Sequence, residues 1–256
     1  MAGVISRSLT QTGLLIAIAG EGLRKTPAVR NWWAEYVEQC WFLARITMLP
    51  VMLIALPLGG TIALQVGQIV QQIGAQSGTG ATVVQALVTQ VAPVAAALLI
   101  SGAGGSAITS DIGSRRIRDE LDAMEVMGIN AVHRLVPPRL WAASTVGVML
   151  CSLIILSGIA GGFFFNVVQG GVTPGSYFDG ATSLLQLSDL VITLFKAWVF
   201  GFIAASVSCW KGMTCGYGPS GVGRAVNQAA VIAALLVFAA NYVISTLAFA
   251  LFPPRI

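Results

Sequence analysis

No Asp, Glu, Lys or Arg occurs between Ile46 and Ser110, between Leu140 and Phe178, or between Ala225 and Pro254. Soluble domains carry about a quarter charged residues, whereas only 9% of this chain is charged, 56% is hydrophobic, and the mean hydropathy is +0.82. A bilayer is therefore its main solvent. Because about 20 apolar residues cross the hydrocarbon core, the three runs have room for roughly two, one and one spans, and residues 190–210 supply a fifth. The expected spans are 46–70, 84–109, 140–165, 190–209 and 226–251. Pro50, Pro57, Gly59, Gly60 and Pro93 interrupt them, which packed membrane helices tolerate.

Histidine and cysteine are scarce, and their scarcity excludes most site chemistry. His133 is the only histidine, so neither a Ser-His-Asp nor a Cys-His set is available. Metal binding is not expected either, since Cys209 and Cys215 are separated by five residues with no second histidine to complete a site. Cys40, Cys151, Cys209 and Cys215 read as reduced structural thiols. Gly216-Tyr-Gly-Pro-Ser-Gly221 has the glycine spacing of a phosphate loop but continues with Val222 and Gly223 where Lys and Ser or Thr are required. Carboxylates are absent from the spans, which argues against an ion-coupled carrier. The net charge of +4 comes from arginines spread over loops, where lipid headgroups account for them, and nucleic acid is not an expected partner.

The charge that is present is concentrated. Asp111, Asp119, Glu120, Asp122 and Glu125, with Arg115, Arg116, Arg118, Arg134 and Arg139, fall in one segment between the second and third spans. Ile117, Leu121 and Met124 recur there at helical spacing, with Arg115/Asp119, Arg116/Glu120 and Arg118/Asp122 as i,i+4 pairs. Gly128 suits a helix stop. On pattern alone this segment, about 115–128, fits a helix docking into a soluble partner and a solvated, self-paired loop equally well. Lys and Arg also cluster before the first span and between the fourth and fifth, which puts the N-terminus and the charged segment in the cytoplasm and the C-terminus outside. Residues 1–45 read as a retained cytoplasmic or interfacial segment, with Asn31-Trp-Trp-Ala-Glu-Tyr lying flat in the interface, and 46–256 as one membrane domain. Lys196, inside the fourth span, is expected to snorkel to the surface or else to meet a lipid's acidic head. The small residues Gly158, Gly161, Gly162, Gly201 and Ala205 mark close helix packing.

Thr89-Gln-Val-Ala-Pro-Val, Glu120-Leu-Asp-Ala-Met-Glu-Val-Met-Gly-Ile-Asn, Arg134-Leu-Val-Pro-Pro-Arg-Leu-Trp-Ala, Cys209-Trp-Lys-Gly-Met and Gly221-Val-Gly-Arg-Ala-Val together resemble the MlaE/YrbE permeases. These are membrane subunits of ABC transporters that work with MCE lipid-transfer proteins, and the actinobacterial YrbE branch is the most similar. The resemblance implies an all-α membrane protein: an N-terminal interfacial helix, about five transmembrane helices and a cytoplasmic coupling helix. It implies that Arg118, Glu120, Asp122, Met124, Glu125, Met127 and Gly128 contact the ATPase. Leu64, Gln68, Gln90, Pro93 and Asn241 are candidates for a lipid pathway. The implied function is that of a non-enzymatic permease importing hydrophobic lipids such as fatty acids or sterols at the plasma membrane; the alternative is a scaffold that anchors the other subunits. The implied partners are a paralogous YrbE permease, a cytoplasmic ABC ATPase dimer that binds the ATP and Mg, MCE proteins on the outer side and membrane lipids, with no cofactor in this chain. Proteobacterial members carry an acidic residue and an arginine where this chain has Gln90 and Ala103, so a charged pair of that kind is missing here.

Overall fold

The structure is a computed structural model that describes residues 13, 17, 20, 21, 33–72, 79–169 and 173–251. Among them there is no strand. The α-helices are α1 (Trp33–Gln72), α2 (Thr79–Ala86), α3 (Ala92–Leu99), α4 (Gly105–Ile117), α5 (Glu120–Val126), α6 (Ala131–Phe163), α7 (Pro174–Leu184), α8 (Leu187–Met213) and α9 (Pro219–Leu251). Three π-helical segments, Leu87–Val91, Ile100–Gly104 and Phe164–Gln169, continue these helices without a break. Five stretches are long and apolar enough to cross a membrane: Trp33–Ile69, Gly80–Ile117, Ala131–Val168, Leu187–Met213 and Pro219–Ala250. The chain is thus an all-α membrane protein, and each expected span falls inside one of these stretches to within a residue at its far end.

The helices run past the expected spans at the ends nearest the basic loops. Arg45, Asp111, Arg139, Lys211 and Arg224 border the apolar runs of the sequence, yet all lie within helices. A charge ends a hydropathy run without ending the ladder of backbone hydrogen bonds, which needs a capping residue or a change of backbone conformation. The same reason corrects the N-terminal reading. The segment Trp33–Arg45, expected to belong to a separate interfacial helix, is the start of the 40-residue α1.

The chain divides into two compact units, and the divisions fall inside helices. The first comprises residues 1–46, 100–146 and 199–239. Ile108, Ile112, Val136, Leu140 and Phe200 are buried in it. Its helices approach through small residues: a methyl group at Gly201 on α8 would lie 2.5 Å from the Ala143 carbonyl oxygen on α6. Nearby, the Thr109 hydroxyl on α4 donates to the Ser208 carbonyl on α8 at 3.1 Å.

The second unit comprises residues 47–99, 147–198 and 240–256. Here Gly59 on α1 lies against the Gly158 backbone on α6, and a side chain at Gly161 would collide with the Leu56 carbonyl. Such contact strengthens dispersion between helices, the main cohesive term once lipid has replaced water. The fully buried Tyr177 pins α7, its hydroxyl donating to the Ile159 carbonyl at 3.4 Å. Burial pushes that hydroxyl's pKa up to about 12, so it remains a donor.

Candidate functional site

In the first unit the charged segment folds as two helices. α4 ends at Ile117, Asp119 takes a left-handed φ of 55°, and α5 starts at Glu120. The break removes the expected i,i+4 pairs. Arg118 instead meets Glu120 at 2.7 Å, and Arg115 bridges Asp111 at 3.4 Å and Glu120 at 4.0 Å. At the other end Gly128 has φ 75°. Its N–H donates to the Glu125 carbonyl and that of Ile129 to Met124, both at 2.9 Å, which is the Schellman stop expected there. Asn130 then caps α6, its Oδ1 accepting from the Val132 N–H at 2.9 Å.

Leu121 anchors α5 in a cluster with Ala131 and Leu135, against which Met124 and Met213 pack. Met124 therefore faces the protein. Asp122 and Glu125 are exposed, and the tip of the segment is apolar: Val126 is 89% exposed and Met127 66%. A rigidly capped, one-turn apolar knob flanked by carboxylates suits insertion into a groove on another protein.

Behind it lies an ion network that hydropathy did not disclose. Arg139 on α6 is fully buried. One of its guanidinium nitrogens lies 2.6 Å from Asp111 on α4, and another lies 3.7 Å from Glu35 on α1 and donates to the Leu135 carbonyl at 2.7 Å. Arg134 also approaches Glu35, at 3.8 Å. A buried guanidinium needs paired carboxylates and geometry that satisfies several donors, and here it ties three helices together. The available signal was positional: Asp111 and Arg139 are the charges that border two long apolar runs.

In the second unit the sequence around Pro93 rearranges the backbone. The Ala92 N–H bonds to the Leu87 carbonyl, five residues back, in place of Val88. Pro93 has no N–H to offer Thr89. Two successive carbonyls thus lose their usual α-helical donors, and α8 supplies replacements. The Thr193 hydroxyl donates to the Val88 carbonyl at 3.1 Å, and Lys196 Nζ to the Thr89 carbonyl at 3.2 Å and Ser245 Oγ at 2.8 Å. Thr193 and Lys196 are three residues apart and so share a helix face.

Lys196 is 3% exposed, which overturns the expectation that it snorkels to the surface. It lines a recess together with the polar residues Thr89, Gln90 and Thr193 and the apolar residues Ile192, Ala248 and Phe249. Of the pathway candidates, Gln90 lines this recess. Asn241 sits one turn from Ser245, with Oδ1 buried and unpartnered among the described residues. Pro93 is buried, and Leu64 and Gln68 are exposed on α1, away from the recess lining. No group of His, Cys, Asp and Glu able to hold a metal occurs among the described residues.

Against known proteins, residues 36–247 match the family model described as Permease MlaE. A probable ABC transporter permease protein of Rickettsia bellii is 32% identical over 193 residues, covering 75% of this chain and 74% of its own. One from Synechocystis is 31% identical over 191 residues, covering 75% and 73%. The intermembrane phospholipid transport system permease protein MlaE of Haemophilus influenzae is 27% identical over 246 residues, covering 95% and 92%.

Proposed function

Because the chain belongs to the MlaE permease family, we propose that it is the membrane subunit of an ATP-driven lipid transporter that imports hydrophobic lipids. In this reading two permease chains, this one and a YrbE-type paralogue, form the passage in the plasma membrane. A cytoplasmic ATPase dimer binds ATP and Mg and docks on α5, and MCE-type proteins on the outer side hand over the lipid. The carrying observation is the apolar knob Val126–Met127, exposed and rigidly capped where α5 joins α6. Hydrolysis in the ATPase moves that knob, and Arg139 passes the motion to α1 and α4 through its carboxylate pairs. Glu120, Asp122 and Glu125 supply the charge around the knob, and Arg118 and Gly128 hold its shape.

The test is reconstitution of the permease pair with its ATPase and MCE partners in liposomes. Met127→Glu should leave the chain inserted and folded while abolishing lipid-stimulated ATP hydrolysis and transfer. Wild-type assembly and transport in that variant would refute docking through α5. Coupled hydrolysis with no lipid crossing in the wild-type complex would make the chain a scaffold.

A further inference from the structure

Lys196 is a buried cation in a membrane span, and among the described residues no carboxylate lies within ion-pair distance of it. An ammonium in such a place is costly and is retained where it meets a partner. Its two observed acceptors, the Thr89 carbonyl and Ser245 Oγ, are neutral. They satisfy two of its three N–H donors and cancel none of its charge. Asp189 is the one acid lining the recess. It lies seven residues earlier on α8, about 10 Å along the axis at 1.5 Å per residue, and its Oδ2 accepts from the Gln186 N–H at 3.3 Å.

We infer that the recess is a headgroup site for an acyl lipid bearing a single acidic group, a carboxylate or a phosphate, whose negative charge completes the Lys196 pair that the protein leaves open. The site has the form such a ligand needs. Gln90 offers an amide beside the ammonium, while Ile192, Ala248 and Phe249 offer apolar surface to the first carbons of the chain; the Thr89 and Thr193 hydroxyls stay committed to the Gln85 and Val88 carbonyls. Gln90 is central to this specificity. As a neutral amide it can hydrogen-bond an acidic oxygen without competing for the lysine, whereas a carboxylate there would take the ligand's place. A sterol or a diacylglycerol can accept the third N–H but, having no charge, leaves the lysine's charge uncancelled.

This deepens the lipid-permease reading and rests on it for the supply of lipid. The experiment uses the assembled complex in vesicles with photoreactive diazirine analogues of a fatty acid, a phosphatidic acid and a diacylglycerol. The acidic probes should crosslink to peptides spanning residues 189–196 and 245–249, and the ratio of the two tells a carboxylate from a phosphate head. Lys196→Met should weaken acidic-probe labelling on the order of tenfold or more and leave diacylglycerol labelling elsewhere unchanged. Gln90→Glu, which keeps the lysine and supplies an internal counter-charge, should do the same and serves if the Met variant fails to fold. Equal labelling of the recess by acidic and neutral probes, or full acidic labelling in Gln90→Glu, would overturn the inference, as would displacement of the probe by inorganic phosphate alone. Lipid transfer by the wild-type complex is read in the same vesicles. Transfer without acidic labelling of the recess removes this inference alone, and labelling without transfer removes the permease reading alone.

Discussion

Arg139 shows how a single side chain organises one of the units. Taking a guanidinium out of water is repaid only when its carboxylates come with it, and Asp111 and Glu35 do so from two other helices. Arg139→Ala should cost about 3–5 kcal/mol, the range for stranding one half of a buried pair, read as a fall in thermal unfolding temperature in detergent. Arg139→Lys should recover only part of the loss, because a lysine cannot span two carboxylates with a planar fork. Cysteine chemistry gives a second check at this scale. Cys215 is 4% exposed, and burial is the main cause pushing its thiol pKa up. A raised pKa means less thiolate at neutral pH, so Cys215 should react with maleimide far more slowly than a cysteine placed at Tyr217, which is 67% exposed. Comparable rates would show that the loop opens readily.

Among the elements, what sequence disclosed and what it hid divide along physical lines. Length and hydropathy give five membrane helices because burying an uncharged run in lipid is a property of the run itself. Gly128 was legible as a stop because only glycine adopts its backbone conformation cheaply. The break at Asp119 was not legible: an aspartate in the left-handed region is tolerated but unmarked, and the Ile117, Leu121, Met124 spacing continues through it. The π-segment at Leu87–Val91 was only half legible: Pro93 marks a missing donor, but the replacements, Thr193 and Lys196, lie about a hundred positions away in sequence. Of the candidate site residues, Gln90 was found through its departure from the family pattern, whereas Thr193 and Ser245 look like ordinary small polar residues of a span. Thr193→Val should destabilise by about 1–3 kcal/mol by stranding the buried Val88 carbonyl, and Thr193→Ser should not. Equal unfolding temperatures for Val and Ser would mean that the π-turn stands without the hydroxyl.

For the whole molecule, the distribution of Lys and Arg specifies an orientation that the helices do not. Single cysteines at Val126 and Tyr217, in a background without other cysteines, should be protected from impermeant thiol reagents in intact cells, and one at Gly175 should react; labelling of Val126 from outside would invert the topology. Pairing is the other question at this scale. α9 exposes Val231, Leu235, Phe238 and Tyr242, and the resemblance to proteobacterial members implies a charged pair that Gln90 and Ala103 leave out. Under the proposed pairing with a different permease, differently tagged copies of this chain, co-expressed with the paralogue, should not recover each other. Recovery of both tags in one active complex would establish a homodimer.

The contact between Lys196 and the Thr89 carbonyl has a consequence for how this protein tolerates change. The lysine holds a main-chain atom, and the Thr89 side chain is turned back to the Gln85 carbonyl at 2.8 Å. Replacing residue 89 cannot delete that acceptor, because every amino acid carries it. The heritable control over the carbonyl lies four residues away: any residue but proline at 93 restores an N–H that competes for it. A saturation library scored for lipid transfer should find position 89 permissive and position 93 nearly closed, inverting what the atoms in contact would suggest.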